Sequence, residues 1–329
     1  MPLEKRYPTI NLRSKNEIAK RITDNKLPFK ESIKLLNRVI NNHSELWHDV
    51  ISFSEPSKGK YVRSAKNTPL GKLLSLFDKK ILRPHDKLIP KFIFGGVSGG
   101  SHVQASYHLL GICKKRTKLG LDITKFFEHN SEQRVFYFFH KKCNCSVQAS
   151  KILSKLCCVP LGAKGSNNSK TLARGFATST RLAVWCNLDL FLRIYWEAKK
   201  TLKYKDVKIA VFIDDIGISA SRVDKRTMED LSLKIRDILE NYDKNQCLPL
   251  NNKKTEVKSY LDGEIEHLGL ILGNKKLSFG RKTRKKLSDL KKDLDNKQIK
   301  GKQRKSLYTA KKSYYSYKKY IKNPIDDKK

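Results

Sequence analysis

The stretch that decides the fold reads Lys208-Ile209-Ala210-Val211-Phe212-Ile213-Asp214-Asp215-Ile216-Gly217-Ile218-Ser219. An apolar run precedes two aspartates and a second β-rich run follows them, which predicts a hairpin with the carboxylates at its tip. An Asp-Asp pair between strands is, taken alone, a common turn. Here the pair ends a nearly continuous apolar strand, and two like charges at the end of a buried element favour binding of a cation.

A third aspartate, Asp122, follows Leu119-Gly120-Leu121, which also predicts a strand. Phosphodiester synthesis from a nucleoside triphosphate needs two divalent cations about 3.5–4 Å apart, bridged by oxygen ligands. Mg²⁺ is usually held by one or two carboxylates together with substrate phosphates and water. Asp122, Asp214 and Asp215 on rigid strands meet this requirement, so we expect two Mg²⁺ ions, with Mn²⁺ as an alternative.

Charge points to the partner. The 329 residues include 70 Lys and Arg against 32 Asp and Glu, a net charge of +38, which predicts a polyanionic partner, with nucleic acid as the leading candidate. Residues 271–329 alone hold 21 basic and 5 acidic residues, with Leu287, Leu290 and Leu294 at helical spacing. A basic helical face suits a phosphate backbone, whereas a partly disordered tail is the alternative for the last ten residues.

Tyrosines are interspersed with lysines in this C-terminal segment, a mixture that suits both phosphate neutralisation and base stacking. The residues concerned are Tyr314, Tyr315, Tyr317 and Tyr320 among Lys311, Lys312, Lys318 and Lys319. The candidate nucleic-acid contacts are Lys285, Lys286, Lys318 and Lys319.

Other classes of protein are disfavoured. No apolar run approaches the roughly 20 residues of a transmembrane helix, and the N-terminus lacks the apolar region of a signal peptide, so we expect a cytoplasmic protein without a membrane partner. Seven cysteines, an odd number, predict reduced thiols. Cys143-x-Cys145 has too short a spacing for a typical zinc site.

Local patterns predict most of the elements. They comprise two helices in 15–45 interrupted by Lys26-Leu27-Pro28, a basic hairpin at 58–63 with Gly59 in its turn, a helix after Pro69, another through Ala105, a helical stretch near 130–158, a loop at 162–169 and a long helix at 178–195.

The chain resembles the reverse transcriptases over roughly residues 58–290, because four motifs occur in the family's order. They are Asp122-Ile123-Thr124-Lys125-Phe126-Phe127, Leu172-Ala173-Arg174-Gly175-Phe176-Ala177-Thr178-Ser179-Thr180, Phe212-Ile213-Asp214-Asp215 and Leu250-Asn251-Asn252-Lys253-Lys254-Thr255. The sequence departs from the family pattern at Arg174 for Gln, Ala173 for Pro, Thr180 for Pro, Phe212 for Tyr and Gly100 for Arg.

The resemblance implies an α+β right-hand polymerase fold. Its expected parts are a helical N-terminal lead (1–57), fingers (58–115), a palm with an antiparallel sheet and helices (116–270, with 130–170 partly fingers) and a basic helical thumb with a C-terminal tail (271–329).

The same resemblance implies roles for single residues. Asp122 and Asp214 would bridge the metals, with Asp215 adding ligation or electrostatics. Lys254 would protonate the pyrophosphate leaving group, although a solvated surface lysine is an equally ordinary reading. The other roles concern the incoming nucleotide. Lys60 and Arg63 would bind its triphosphate, and Gly175 would allow the backbone to approach the nucleotide and the templating base closely. Phe127 would exclude a ribose 2′-hydroxyl, or would instead be an ordinary core aromatic residue.

Within the family, bacterial retron enzymes are the nearest match. The chain is short, Gln104-Ala105-Ser106-Tyr107-His108 resembles the retron Asn-Ala-x-x-His element, and the glycine of His267-Leu268-Gly269 agrees with the retron Val-Thr-Gly. This implies a structured noncoding RNA that the enzyme partly copies into branched, RNA-linked DNA from dNTPs, in antiphage defence and often beside an effector protein. A defence-associated reverse transcriptase without a retron RNA is the alternative, and an inactive RNA-binding protein with a polymerase fold is the alternative of another class.

Overall fold

The computed structural model of the chain describes residues 6–112, 115–203, 205–243, 247–273, 275–296, 298, 300–322 and 324. Cys113, residues 1–5 and the end of the predicted C-terminal tail, 325–329, lie outside the described residues. Helices and small antiparallel sheets are mixed along the described chain, which confirms the α+β prediction. No described helix has the length and apolar character needed to cross a membrane.

The elements are numbered in chain order. The helices are α1 (Lys15–Ile22), α2 (Phe29–Asn41), α3 (Pro69–Phe77), α4 (His102–His108), α5 (Glu132–Tyr137), α6 (Val147–Cys157), α7 (Ser179–Cys186), α8 (Leu188–Thr201), α9 (Lys225–Asn241), α10 (Arg281–Asp295) and α11 (Gly301–Lys322). The strands are β1 (His48–Asp49), β2 (Arg63–Ser64), β3 (Arg116–Asp122), β4 (Cys158–Pro160), β5 (Lys170–Leu172), β6 (Lys208–Phe212), β7 (Asp215–Ser221), β8 (Glu256–Ser259), β9 (Glu266–His267), β10 (Leu270–Leu272) and β11 (Leu277–Phe279).

A four-stranded antiparallel sheet in the order β6-β7-β3-β8 forms the centre of the molecule. Strands β6 and β7 form the predicted hairpin. Because side chains alternate across a strand, one face of the sheet carries Leu119, Leu121, Ile216 and Ile218, all at most 2 % exposed. This apolar face joins the main hydrophobic core, which also includes residues of α7, α8 and α9.

The opposite face of the central sheet is mixed. On β3 and β7 it carries Asp122, Asp215 and the glycine pair Gly120 and Gly217, which lie opposite each other, and on β6 it carries Ala210 and Phe212. A Cβ atom added at Gly217 would lie 2.5 Å from Leu109 Cδ1 and 2.9 Å from His267 Nε2. The absence of side chains at this point therefore lets the segment after α4 and the strand β9 pack directly on the central sheet.

The C-terminal helices α10 and α11 pack on the layer that covers this face of the central sheet, to which α4, β10 and β11 contribute. Tyr317 of α11 stacks on Phe279 of β11 with ring centroids 5.7 Å apart, and its hydroxyl lies 2.7 Å from His102 Nε2 of α4. Ile321 is 1 % exposed in the same cluster. Tyr317 is therefore engaged in packing, which corrects the expectation that the four tyrosines would all be presented to nucleic acid, whereas Tyr315 is 52 % exposed.

Two predicted helices are interrupted in the structure. The stretch near 130–158 contains a π-helical turn at Phe138–Lys142 between α5 and α6. The helix predicted at 178–195 breaks at Asn187, whose side-chain amide donates to Asn130 Oδ1 at 2.7 Å and accepts from Arg134 Nη1 at 3.0 Å. The local pattern predicted neither interruption, and the one at Asn187 depends on contacts that are distant in sequence.

A hairpin with Gly59 in its turn is present, as predicted, but it extends beyond 58–63, because Glu55 and Lys60 form an antiparallel bridge and β1 pairs with β2. A 3₁₀ turn at Pro56–Lys58 ends at Gly59, whose φ of +65° lies in the left-handed region that glycine adopts readily. Lys60 closes the turn by backbone pairing with Glu55. The chain then enters β2, which pairs with β1.

Candidate active site

Asp214 and Asp215 lie at the turn between β6 and β7. Ile213, which precedes them, has a φ of +63°, a conformation that costs free energy for a β-branched residue and persists only where its surroundings enforce it. Gly95 is part of those surroundings, because a Cβ atom added there would lie 2.3 Å from Ile213 N. Local sequence patterns did not predict this contact between Gly95 and the turn.

Asp122 lies directly opposite Asp215 in the antiparallel register of β3 and β7. Directly opposed residues project to the same face, with Cβ atoms about 4.5–5.5 Å apart. A hydrogen bond from Ile123 N to Asp214 O, at 3.0 Å, ties the end of β3 to the turn. The structure thus brings together the three aspartates that the motifs singled out.

The carboxylates destabilise one another's charge. Burial, followed by the charges of Asp214 and Asp122, raises the pKa of Asp215 to about 6. Burial also raises the pKa of Asp214, with Asp122 adding to the shift. A cluster of this kind gains free energy from a cation that lets all its members ionise.

Lys254 supplies a positive charge to this cluster. Its Nζ donates to Asp122 Oδ1 at 2.7 Å, and this hydrogen bond is the main reason that the pKa of Lys254 is raised. Asn251 donates from Nδ2 to the other carboxylate oxygen, Oδ2, at 3.3 Å. Asn251 is a site residue that the sequence analysis did not assign, although it begins the Asn-x-x-Lys spacing of the fourth motif.

The aspartates fit a shared Mg²⁺ site better than a closed protein cage. Across the described ranges, no group of three or more His, Cys, Asp and Glu side chains is arranged to hold a metal ion by itself. Mg²⁺ at polymerase-type sites takes only one or two carboxylates and fills its octahedral shell with substrate phosphates and water. Partly buried carboxylates with raised pKa values suit this hard cation, and Lys254 would have to leave Asp122 when it binds.

Phe127 lies five residues after Asp122 and is 6 % exposed. The guanidinium carbon of Arg174 lies 4.8 Å from the centre of its ring. Arg174 also forms two hydrogen bonds with Glu128, from Nε to Oε1 at 3.0 Å and from Nη2 to Oε2 at 2.9 Å. Burial lowers the pKa of Arg174, but Glu128 and the charge of Asp214 outweigh it, so the net shift is upward. Arg174 is therefore within electrostatic range of the aspartates.

Arg63 is placed differently from the expected triphosphate ligand. It is 4 % exposed, forms an ion pair with Asp49 and donates to the carbonyl oxygens of Pro160 and Gly162. Its guanidinium also lies 5.2 Å from the ring of Trp47. A phosphate contact would require these bonds to break, so that role stays a prediction that the geometry disfavours.

Gly175 and Lys60 lie beside the same strand. Gly175 has a φ of +104°, and a Cβ atom there would lie 2.4 Å from Arg63 O, so its close approach is to the β2 backbone. Lys60 is partly exposed next to Gly59, and a Cβ atom at Gly59 would lie 3.2 Å from Lys125 Nζ. This places the basic turn beside the segment that follows Asp122.

The four lysines predicted to contact nucleic acid are all exposed. Lys285 and Lys286 lie on α10, and Lys318 and Lys319 lie on α11.

Comparison with known proteins leaves the family open. A scan against models of protein families found no match, and a search of curated proteins found none with significant similarity. The resemblance to reverse transcriptases therefore rests on the ordered motifs and on the residues that the structure brings together from them.

Proposed function

We propose that this chain is an RNA-directed DNA polymerase of the reverse-transcriptase type. The observation that carries the proposal is the meeting of Asp122 with Asp214 and Asp215, although 92 positions separate the first two. Lys254 of the fourth motif bonds to Asp122, and Arg174 of the second interacts with Asp214 electrostatically. Each of the four motifs thus contributes a residue to one site.

The right-hand architecture belongs to this proposal. The sheet β6-β7-β3-β8 would be the palm, the segments around β1, β2 and α3 the fingers, and α10 with α11 the thumb. In its support, the aspartates lie at the end of the only four-stranded sheet in the described chain, and the basic helices pack on the layer that covers the face of the sheet carrying Asp122 and Asp215.

The chemistry assigned to the site is nucleotidyl transfer. Two bound Mg²⁺ ions would activate the attacking hydroxyl and neutralise the leaving pyrophosphate. Asp122, Asp214 and Asp215 would orient the reacting groups from rigid strands. Lys254, which like an ordinary lysine is protonated near neutral pH, would donate a proton to the pyrophosphate once it no longer bonds to Asp122. Phe127 would form the wall that excludes a ribose 2′-hydroxyl.

A retron-type partner is the finer part of the proposal. The exposed lysines of α10 and α11 suit a structured RNA, which proteins recognise largely by its shape and phosphates. The retron-like helix α4 is an integral element, because Gln104 caps its N-terminus by accepting from Ser101 N at 3.0 Å and His108 packs on Phe94. The substrates would be dNTPs, and the product would be DNA bonded to that RNA.

Polymerisation is tested by Mg²⁺-dependent dNTP incorporation on a primed RNA template. Asp214→Ala should lower the rate by at least roughly 100-fold, because it removes a ligand from the reacting centre. Asp230→Ala, at an exposed position of α9, is the matched control and should retain the wild-type rate. Equal activity of wild type and Asp214→Ala, with unchanged melting temperatures, would refute the assignment.

The retron partner is tested by sequencing the nucleic acid that copurifies with the active enzyme. One abundant RNA covalently bonded to a short DNA is expected. An active preparation that lacks such a molecule would instead support a defence-associated polymerase that works without a retron RNA. A preparation that binds RNA but never incorporates dNTPs would support the inactive RNA-binding protein.

A further inference from the structure

The pair Arg174–Glu128 lies at the wall of the proposed nucleotide site. Its fork geometry, with two hydrogen bonds of 3.0 and 2.9 Å, is the strong form of an Arg–carboxylate interaction, since it fixes both distance and plane. The Glu128 side chain is 9 % exposed and that of Arg174 is 24 % exposed. Solvent therefore screens this pair less than it screens an ordinary surface ion pair.

Both partners are anchored by the backbone. Glu128 directly follows Phe127 in the chain, and Arg174 O accepts a hydrogen bond from Arg63 N at 2.7 Å. The guanidinium plane therefore bridges two separate segments of the protein. It lies against the Phe127 ring, with the guanidinium carbon 4.8 Å from the ring centre, and the charge of Asp214 also raises the pKa of Arg174.

A ring that excludes a 2′-hydroxyl must not move, because a shift of a fraction of an ångström would admit the extra oxygen. Phe127 lies in the main hydrophobic core, where the centroid of the neighbouring Phe126 ring is 6.1 Å away. The guanidinium of Arg174 adds a charged contact to the same ring, and its two hydrogen bonds with Glu128 hold the guanidinium in one orientation. The position of the ring therefore depends on this ion pair as well as on the core.

We propose that Glu128 and Arg174 act together as positioning residues that hold Phe127 in place and thereby set the enzyme's selection of deoxyribonucleotides over ribonucleotides. This inference rests on the proposed polymerase function. It assigns no direct substrate contact to Glu128, whose effect passes through Arg174 to the ring.

The test compares dNTP and rNTP incorporation by wild type, Glu128→Gln, Arg174→Gln, Arg174→Lys and the double Gln variant. Each single variant should lower the ratio of dNTP to rNTP efficiency by roughly tenfold, and the double variant should lower it no further, because the two residues act as one unit. Arg174→Lys retains the charge but loses the fork, so it should behave as Arg174→Gln does. Glu264→Gln, which breaks the exposed ion pair with Arg284, is the matched control and should keep the wild-type ratio.

A second comparison shows whether the effect passes through the ring. In a Phe127→Val background, Arg174→Gln should leave the ratio unchanged, whereas independent action would lower it again. Melting temperatures identify any variant that fails to fold, and Arg174→Lys then provides the reading. A wild type that polymerises while all Arg174 and Glu128 variants keep its ratio would overturn this inference alone. A wild type that incorporates neither nucleotide would overturn the proposed function and this inference with it.

Discussion

Asp215 illustrates how burial and neighbouring charge combine at one residue. Its pKa of about 6 is raised first by burial and then by Asp214 and Asp122. In the unfolded chain the same carboxyl would titrate near its ordinary value of about 3.9. Ionising Asp215 in the metal-free fold therefore costs stability above pH 6, and the cost disappears as the pH falls below both values.

Replacing Asp215 by Asn should therefore stabilise the metal-free protein. At pH 7.5 we expect the free energy of unfolding to rise by about 1 kcal/mol, since a pKa unit corresponds to about 1.4 kcal/mol and partial exposure reduces the effect. The difference should shrink as the pH falls from 6 towards 4 and should vanish only below the unfolded-state pKa. Denaturant unfolding in a chelator measures it, and a variant less stable than wild type at pH 7.5 would contradict the reasoning.

Phe127 gives a prediction about sugar selection at the same scale. Phe127→Val shortens the wall and should allow ribonucleotide incorporation, raising rNTP efficiency relative to dNTP by at least roughly tenfold, about 1.4 kcal/mol of discrimination. Steady-state kinetics with matched nucleotides measure the ratio. Phe77→Leu, a change in a buried core phenylalanine of α3, is the control for general loosening, and unaltered discrimination in Phe127→Val would show that another residue forms the wall.

At the scale of elements, the β6–β7 hairpin depends on its support by the Phe94–Gly95 segment. Phe94 N donates to Val211 O at 2.8 Å, so this segment runs alongside β6 and ends against Ile213. The turn is held from outside the hairpin, which explains how a β-branched residue keeps a positive φ there.

Gly95→Ala should displace the turn between β6 and β7 that contains Asp214. The added methyl would meet Ile213 N at 2.3 Å, so backbone has to move. We expect nucleotide incorporation to fall by roughly 100-fold, because small misplacements of reacting groups have effects of that order. Ser98→Ala, at an exposed position of the same segment without a positive φ, is the control and should retain the wild-type rate. Wild-type activity in Gly95→Ala would show that the turn tolerates the shift.

Elements set by local sequence were predictable, and those set by distant contacts were not. The hairpin around Asp214 follows from apolar alternation, and the break before α2 follows from Pro28. The break at Asn187 depends instead on Arg134, 53 positions away. At the site, motif spacing pointed to the aspartates and Lys254. The pairing of Arg63 with Asp49 and of Arg174 with Glu128 requires the assembled fold, because neither carboxylate is marked by any motif.

At the scale of the whole molecule, the excess of positive charge has the largest effect on how the protein interacts with other molecules. A net charge of +38 makes the chain repel itself and attract polyanions over distances limited by salt. The ion pairs described above neutralise only some basic groups, and the lysines of α10 and α11 stay exposed. Binding of RNA would release counterions from its phosphates, so affinity should fall steeply as salt rises.

Reversing two charges on α10 tests this surface. Lys285→Glu with Lys286→Glu should weaken RNA binding and make the slope of log affinity against log salt shallower by roughly 1.4 to 1.8, the value for two lost phosphate contacts. Lys26→Glu with Lys30→Glu changes the net charge equally at exposed positions near α2 and should leave the slope close to wild type. Identical slopes for the two double variants would remove the special role of α10.

The bare backbone at Gly217 fixes a spacing. The space between β7 and the side chains of Leu109 and His267 is too small for one methyl group. The layer that carries the C-terminal helices therefore packs directly on the backbone of the strand that begins with Asp215. A larger residue would act as a wedge, lifting that layer away from the aspartates while leaving the hairpin intact. The distance between the basic helices and the three aspartates is thus set by a glycine, a residue that has no side chain.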